Sequence, residues 1–284
     1  MDSKNRNSKL LRGLSAKYQQ MTTMNRNYSE KLKTIFDLTF GKLQEISIDD
    51  NFMREITERR NRVFNKNKPN SYFYEILVRD IFGAGLKATA LTRWWPCLRD
   101  AFSHFDIKMV SEKKLEDLIS NPNIIRNKAK IEACLWNAKR MREISGRFGS
   151  FGEYLSQSEG NENQLIGKMK QFKFVKDALA RDYLKDIGIL DTIKPDSNVL
   201  RAFFRLGFIK EGSFNEAIKV VEAFKQATSE RLIVIDAVFW MYGGGGDGHV
   251  KKAMCNKKNP FCSECPLTTY CGYYKSAHHF GFED

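Results

Sequence analysis

Proline is scarce in this chain, six in 284 residues, and histidine scarcer, with four. So little proline excludes the collagen-like and proline-rich linker classes and leaves long helices unbroken. His104, His249, His278 and His279 have no metal-type spacing, which removes histidine-centred zinc chemistry. No apolar run approaches the ~18–20 residues that a membrane helix requires. Met1 leads into a polar, Lys- and Asn-rich stretch without an apolar core, so no secretory leader is expected and a cytoplasmic, reducing compartment is. Acidic residues are the minority, 34 against 47 Lys and Arg, for a formal charge of +13. Strand-type alternation and internal repeats are lacking as well.

What is present is 42% hydrophobic, enough for a core in one large domain or two small ones. The positive excess implies a polyanionic partner, and nucleic acid is the common one. Anionic lipid would require a basic amphipathic helix with a wide apolar face, which no segment supplies. Apolar residues recur at helical spacing in three places: Phe73, Ile76, Leu77 and Ile81; Ile131, Cys134, Leu135, Ala138 and Met141; Val199, Phe203 and Leu206. They predict an all-α chain.

Residues 1–27 read as a flexible basic tail. Ser29 opens a helix to about Leu43, and a charged helix follows Asp49 and Asp50 as far as Arg62. The breaker Asn65-Lys66-Asn67-Lys68-Pro69-Asn70 marks a boundary. A helix from near Lys87 is predicted to stop at Trp94-Trp95-Pro96. Two short helices, 165–171 and 178–187, flank a tight turn, and Asp196 begins another. Helices over 214–227 and 231–242 complete the set. The run from Gly243 to Gly248 reads as a flexible link: it lacks the Gly-Lys-Ser/Thr ending and the preceding strand of a phosphate loop.

Four of the six cysteines crowd the C-terminal end as Cys255-x6-Cys262-x2-Cys265-x5-Cys271. Cys97 and Cys134 stand alone in apolar helical stretches. Zinc sites usually take two C-x2-C knuckles, and here there is one. A cubane iron–sulfur cluster accepts wider, unequal gaps and an all-cysteine shell. Spacing and compartment favour a four-iron four-sulfur cluster over zinc and over disulfides.

This spacing resembles the cluster loop of the endonuclease III family of DNA repair glycosylases. A second likeness supports it. Phe172-Lys173-Phe174-Val175-Lys176-Asp177-Ala178-Leu179-Ala180 sits where that family has its helix-hairpin-helix turn, Leu-Pro-Gly-Val-Gly-x-Lys-Thr-Ala. Counting on without a gap, the family's catalytic aspartate falls on Asp196, and Asp196-Ser197-Asn198-Val199-Leu200-Arg201 is similar to its Asp-Thr-His-Val-x-Arg. Arg205-Leu206-Gly207 and Arg126-Asn127-Lys128-Ala129-Lys130 also look like family elements. Phe82-Gly83-Ala84-Gly85-Leu86 resembles a stretch of the cluster-free 3-methyladenine glycosylases of the same superfamily. The likeness spans roughly 70–271.

The resemblance implies a two-lobed helix-hairpin-helix DNA glycosylase fold with a C-terminal iron–sulfur loop over 255–271. One lobe, 70–195, would be the six-helix barrel domain with the hairpin. The other would join the N-terminal helices, 28–69, to 196–284. It implies a DNA N-glycosylase that flips a damaged or modified base out of double-stranded DNA and hydrolyses its N-glycosidic bond. Asp196 would stabilise the cationic sugar and activate water, although a residue following Pro195 at a helix start is also a natural N-cap. Asp191 is the second carboxylate. Lys173, Lys176, Arg201, Lys257 and Lys258 are the expected DNA contacts. Phe82, Leu86, Trp94 and Trp95 are the expected wedge or base-pocket residues, each with a core role as the alternative.

Two departures stand out. Strand-cleaving members carry a lysine nucleophile where this chain has Ala178, so the reading is monofunctional. Lys176, about 200° round the helix, is the alternative for a bifunctional glycosylase/lyase. Phe174 and Lys176 replace the hairpin glycines, so the turn takes another shape or the side-chain cations of Lys173 and Lys176 take over the phosphate. A DNA-binding protein of this fold without catalysis, and an iron–sulfur electron carrier, are the rival readings. A monomer is expected, nucleoid-associated in a prokaryote. The adenine-mismatch branch usually adds a C-terminal recognition domain, and the short stretch after Cys271 counts against it.

Overall fold

The computed structural model describes residues 26–279 except 87, 195, 211, 246 and 247. The tail expected over 1–27 therefore lies outside the described residues but for its last two, as do Pro195 and, in the glycine link, Gly246 and Asp247. The described chain is helical, and its β-pairing is one antiparallel bridge, Ser47 to Val250.

Two separate apolar cores organise the helices. The first is built by α3 (Asn70–Gly83), α4 (Ala88–Ala101), α5 (Ile107–Ser111), α6 (Leu115–Ile119), α7 (Lys128–Phe148), α8 (Phe151–Ser156), α9 (Glu162–Met169) and α10 (Asp177–Asp186). The second joins α1 (residues 26–45) and α2 (Asn51–Asn61) to α11 (Ser197–Leu206), α12 (Phe214–Thr228) and α13 (Leu232–Gly244), followed by the cysteine loop and α14 (Gly272–His279). The chain thus starts in the second lobe, builds the first, and returns.

Each lobe has a central helix whose sequence explains its place. In the first, α3 buries Phe73, Tyr74, Ile76, Leu77, Val78, Ile81 and Phe82. The Tyr74 hydroxyl donates to the Cys134 carbonyl at 2.9 Å, so its polar tip is satisfied in the interior. The partner helix α7 starts where the Asn127 side chain accepts from Lys130 N at 3.1 Å. In the second lobe α13 is apolar on every face, the pattern of a helix enclosed by its neighbours; its one charged residue is Asp236.

The helix expected to stop at Pro96 continues to Ala101 with the proline inside it. An interior proline costs about 3 kcal/mol. Leu98 and Phe102, just beyond, are fully buried, and the apolar area they remove from water offsets that cost.

The lobes are joined by a buried ion pair. Lys185 Nζ on α10 lies 2.9 Å from Asp236 Oδ2 on α13 and 3.0 Å from Asp182 Oδ1. Burial alone would lower the ammonium's pKa; Asp236 and Asp182 overcome it and hold Lys185 above its ordinary value, charged. Beside it Asp186 takes Arg62 at 3.2 Å and Arg79 at 3.3 Å. Gly188 permits the close approach of the linker: its φ is +82°, and a Cβ there would meet the Val63 carbonyl carbon at 2.7 Å.

Removing one partner of a buried pair leaves an uncompensated charge. Lys185→Met is expected to destabilise the chain by about 3–5 kcal/mol in denaturant titration. Adding Asp236→Leu should recover part of that loss, because it removes the carboxylate left without a cation, while Asp182 keeps Lys194.

Candidate active site

Between the lobes lies a cleft of about 1010 Å³, a volume at the upper end of ligand pockets. Its inner wall is ionic, with Asp80, Asp182, Lys185 and Asp236. Its outer parts carry Leu86, Phe174, Lys176, Ala178 and Asp196.

Asp196 caps α11. Its Oδ1 accepts from Asn198 N at 2.8 Å and Val199 N at 3.0 Å. Its Oδ2 accepts from the Asn198 side chain at 3.2 Å. The expected N-cap role is present, and the capping carboxylate also lines the cleft. One oxygen is committed to backbone N–H groups, which fixes the orientation of the other. Gly243 on α13 allows this arrangement, since a Cβ there would sit 2.7 Å from the Asn198 carbonyl oxygen. Asp191, the second carboxylate considered, is engaged elsewhere. It accepts from Ile233 N at 3.1 Å and Lys225 Nζ at 2.8 Å. Burial raises its pKa, but those donors win and hold it below the ordinary value.

Asp80 was not anticipated. It sits on α3 with only 8% of its surface exposed, and its Oδ2 has no hydrogen-bond partner. Burial, with Asp186 and Asp182 adding repulsion, pushes its pKa well above the ordinary value. The protonated form of Asp80 is therefore favoured relative to an exposed carboxylate. The available signal was a carboxylate set between Leu77 and Ile81 on an apolar helix, where a charge is rare without a partner or a task. Asp182 goes the other way. Burial raises its pKa, but Lys185 and Lys194 outweigh that and bring it to about 2.

The hairpin joins α9 to α10. Phe172 and Val175 are buried, and the Lys173 backbone is clamped by Asn137, whose Nδ2 donates to Lys173 O at 3.0 Å and whose Oδ1 accepts from Lys173 N at 2.8 Å. Phe174 has φ +70°. The left-handed, glycine-type backbone is thus kept with a phenylalanine in it. Lys176 is exposed, stands at the N-cap of α10 without a side-chain cap, and lines the cleft. Lys173 is exposed, 3.9 Å from Glu132 and 5.5 Å from the Trp136 ring centroid. Lys257 and Lys258 are exposed on the cysteine loop.

Other expected site residues are placed differently. Phe82 is fully buried and packs on Phe102 at 6.0 Å, so it is core and cannot enter a DNA stack. Trp94 and Trp95 are half-buried against the first core, Trp95 stacked on Phe105 at 5.2 Å; neither lines the cleft. Leu86 does line it, with 39% of its surface exposed. Arg201 was expected on DNA. Its guanidinium instead donates to Cys255 O at 3.1 Å, Ser197 O at 3.2 Å, Asn198 Oδ1 at 2.8 Å and Gly243 O at 2.7 Å. These bonds absorb most of its donors and tie the cysteine loop to α11 and α13.

The four loop cysteines are half-buried free thiols, and Cys255, Cys265 and Cys271 pack on the second core. Burial, with Cys265, Cys271 and Cys255 adding to it, pushes the Cys262 thiol up, so the sulfurs are close enough to sense one another. Tyr242 Oη lies 2.9 Å from Cys265 Sγ, Arg205 Nη1 3.4 Å from Cys255 Sγ, and Tyr274 N 3.5 Å from Cys271 Sγ. Among the described residues, no three His, Cys, Asp or Glu side chains are gathered tightly enough to hold a single metal ion.

Residues 64–187, most of the first lobe, match the methyladenine glycosylase family model. Over both lobes the chain is similar to an endonuclease III trapped as a covalent intermediate with DNA: 15% identity, TM-score 0.57, covering 88% of this chain and 98% of that one. It is also similar to the 8-oxoguanine glycosylase/lyase of Methanocaldococcus jannaschii in complex with DNA containing 8-oxoguanine, at 19% identity and TM-score 0.52, over 73% of this chain and 96% of that one. The fold is that of the helix-hairpin-helix DNA glycosylases. Among the described residues, no helix is long and apolar enough to cross a membrane.

The state of Asp80 has a measurable consequence. Its folded pKa lies above the unfolded value near ~3.9, so the stability it contributes is full below that value and is lost as pH rises through the folded one. Asp80→Asn should therefore melt close to the parent at pH 4 and progressively above it toward pH 8.

Proposed function

We propose that the chain is a DNA N-glycosylase that draws a damaged or modified base into the cleft and hydrolyses its N-glycosidic bond without cutting the strand. The observation that carries this reading is Asp196: a carboxylate fixed by its own helix cap, lining a cleft where Ala178 stands in place of a nucleophilic lysine. The family match and the fold support the enzyme class. The methyladenine glycosylase match favours an alkylated purine.

The target bond is hidden in the duplex, so the nucleotide must swing out, at a few kcal/mol. Phosphate contacts from Lys173, Lys176, Lys257 and Lys258 offset that. As the base leaves, positive charge develops on the sugar. Asp196 Oδ2, which accepts only the Asn198 side chain, faces that charge and can take a proton from the attacking water. Lys176 also lines the cleft, and a strand-cleaving reading would use its amine.

The cysteine loop fits a four-iron four-sulfur cluster in the kind and grouping of its donors: four neighbouring unpaired thiols, with Tyr242, Arg205 and the Tyr274 amide directed at the sulfurs. Cys255, Cys262, Cys265 and Cys271 would hold it. When bound, it would cross-link the loop and fix the exposed Lys257 and Lys258 for phosphate contact.

On duplexes each carrying one altered base, the parent is expected to leave abasic sites that break only under alkali, and borohydride should trap no covalent complex. Trapping that disappears in Lys176→Ala would replace this reading with the strand-cleaving one. Asp196→Asn should still bind DNA while excision falls about 10²- to 10⁴-fold. A variant as active as the parent rejects Asp196 as the carboxylate that faces the sugar and activates water.

Purified protein should contain iron and acid-labile sulfide in equal amounts, and Cys262→Ser should lose both along with part of its DNA affinity. Iron-free protein with undiminished affinity would reject the cluster.

A further inference from the structure

Phe174 is a large aromatic at a position whose backbone suits glycine. At φ +70° a residue with a Cβ is strained by roughly 1–2 kcal/mol. Burial does not explain the choice, because 45% of its surface is exposed while its neighbours Phe172 and Val175 fill the core. The ring lines the cleft together with Leu86, the other large exposed apolar side chain among the described lining residues. Both are held by one cation. Lys130 Nζ donates to Phe82 O at 2.9 Å and Ala84 O at 2.5 Å, anchoring the segment that carries Leu86. The same ammonium lies 5.9 Å from the centroid of the Phe174 ring. Asn137 clamps the backbone of the residue before it, which holds the turn that carries the ring.

We propose that Phe174 is a base-contacting residue: its ring stacks on a nucleobase of the nucleotide drawn between it and Leu86, above Asp196. Strain at a backbone position, an exposed ring and a cationic surround are together accounted for by a flat, polyanion-borne ligand. Every base offers a π face, so the contact is tolerant of sequence. Lys173 and Lys176, on either side of the turn, supply charge complementary to the phosphates of that nucleotide. The inference rests on the glycosylase reading and adds to it a grip on the base from the hairpin itself.

The test compares the parent with Phe174→Gly and Phe174→Trp on a duplex carrying 2-aminopurine at one position and on the same duplex with adenine there. Base extrusion raises 2-aminopurine emission without any bond being broken. Phe174→Gly is expected to melt at or above the parent temperature, since glycine takes this φ freely. Its emission rise should shrink and its affinity for the 2-aminopurine duplex should fall about tenfold, with Phe174→Trp close to the parent. Equal emission and affinity in parent and glycine variant would overturn the proposal. So would a fall in affinity with the emission rise unchanged, which would make the ring a contact to the DNA backbone and not to a base. A parent that unstacks no base fails the glycosylase reading itself. A parent that unstacks the base but excises nothing fails only its chemistry, and the comparison at Phe174 still stands.

Discussion

The cleft exists because Lys185 reaches from one lobe into the other. Each lobe has its own core and neither buries the other's central helix. An ammonium enclosed by Asp236 and Asp182 at 2.9 and 3.0 Å fixes the separation of α10 and α13. An apolar contact of the same area would bind the lobes without setting their angle, because the hydrophobic effect is non-directional. An ion pair with two carboxylates defines a geometry, and leaves charged groups along the inner wall of the cleft. Burial, with Asp186 and Asp182 beside it, raises the Asp80 pKa well above the ordinary value, because those two carboxylates already serve the neighbouring cations.

The outer part of the cleft depends on helix termini. Asp196 is oriented by the first N–H groups of α11, and α11 is held by Arg201, which reaches the cysteine loop and α13. The side chain expected on DNA thus positions the loop and the carboxylate's helix at once. A metal-anchored loop and a catalytic carboxylate so joined would be coupled mechanically: loosening the loop frees the carbonyl of Cys255 and with it one fixed point of α11. The exposed cations of the loop then need no contact with the cleft to influence it.

Much of this was legible in the chain, and the failures have physical reasons. The helices of α3, α7 and α11 follow from apolar periodicity, and Asp196 follows from cap chemistry and its offset from the hairpin. Pro96 misled because the local rule was outweighed by the burial of Leu98 and Phe102, a tertiary effect. Phe82, Trp94 and Trp95 carry no local mark separating a core aromatic from a stacking one. Arg201 was assigned outward because its acceptors, the carbonyls of Gly243 and Cys255, lie more than forty residues away in sequence. Asp80 acquires its character only from what α10 brings beside it. The left-handed backbone at Phe174 was hidden because nothing in the residue itself favours that conformation.

The amines of the cleft bear on whether the strand is cut. A lysine that attacks the sugar must be deprotonated, through desolvation or a neighbouring cation. Burial favours the neutral amine at Lys185 and Lys194 too, but carboxylates overcome it at both, and each is held above its ordinary value. Lys185 is also enclosed by its two partners. These amines are built to stay charged, as a structural bridge requires and a nucleophile does not allow. Ala178, a cleft residue at the start of α10, carries no amine. The remaining amine among the described lining residues, Lys176, is exposed at the mouth of the cleft. The electrostatics that hold the lobes together thus keep Lys185 and Lys194 charged and bound to their carboxylates.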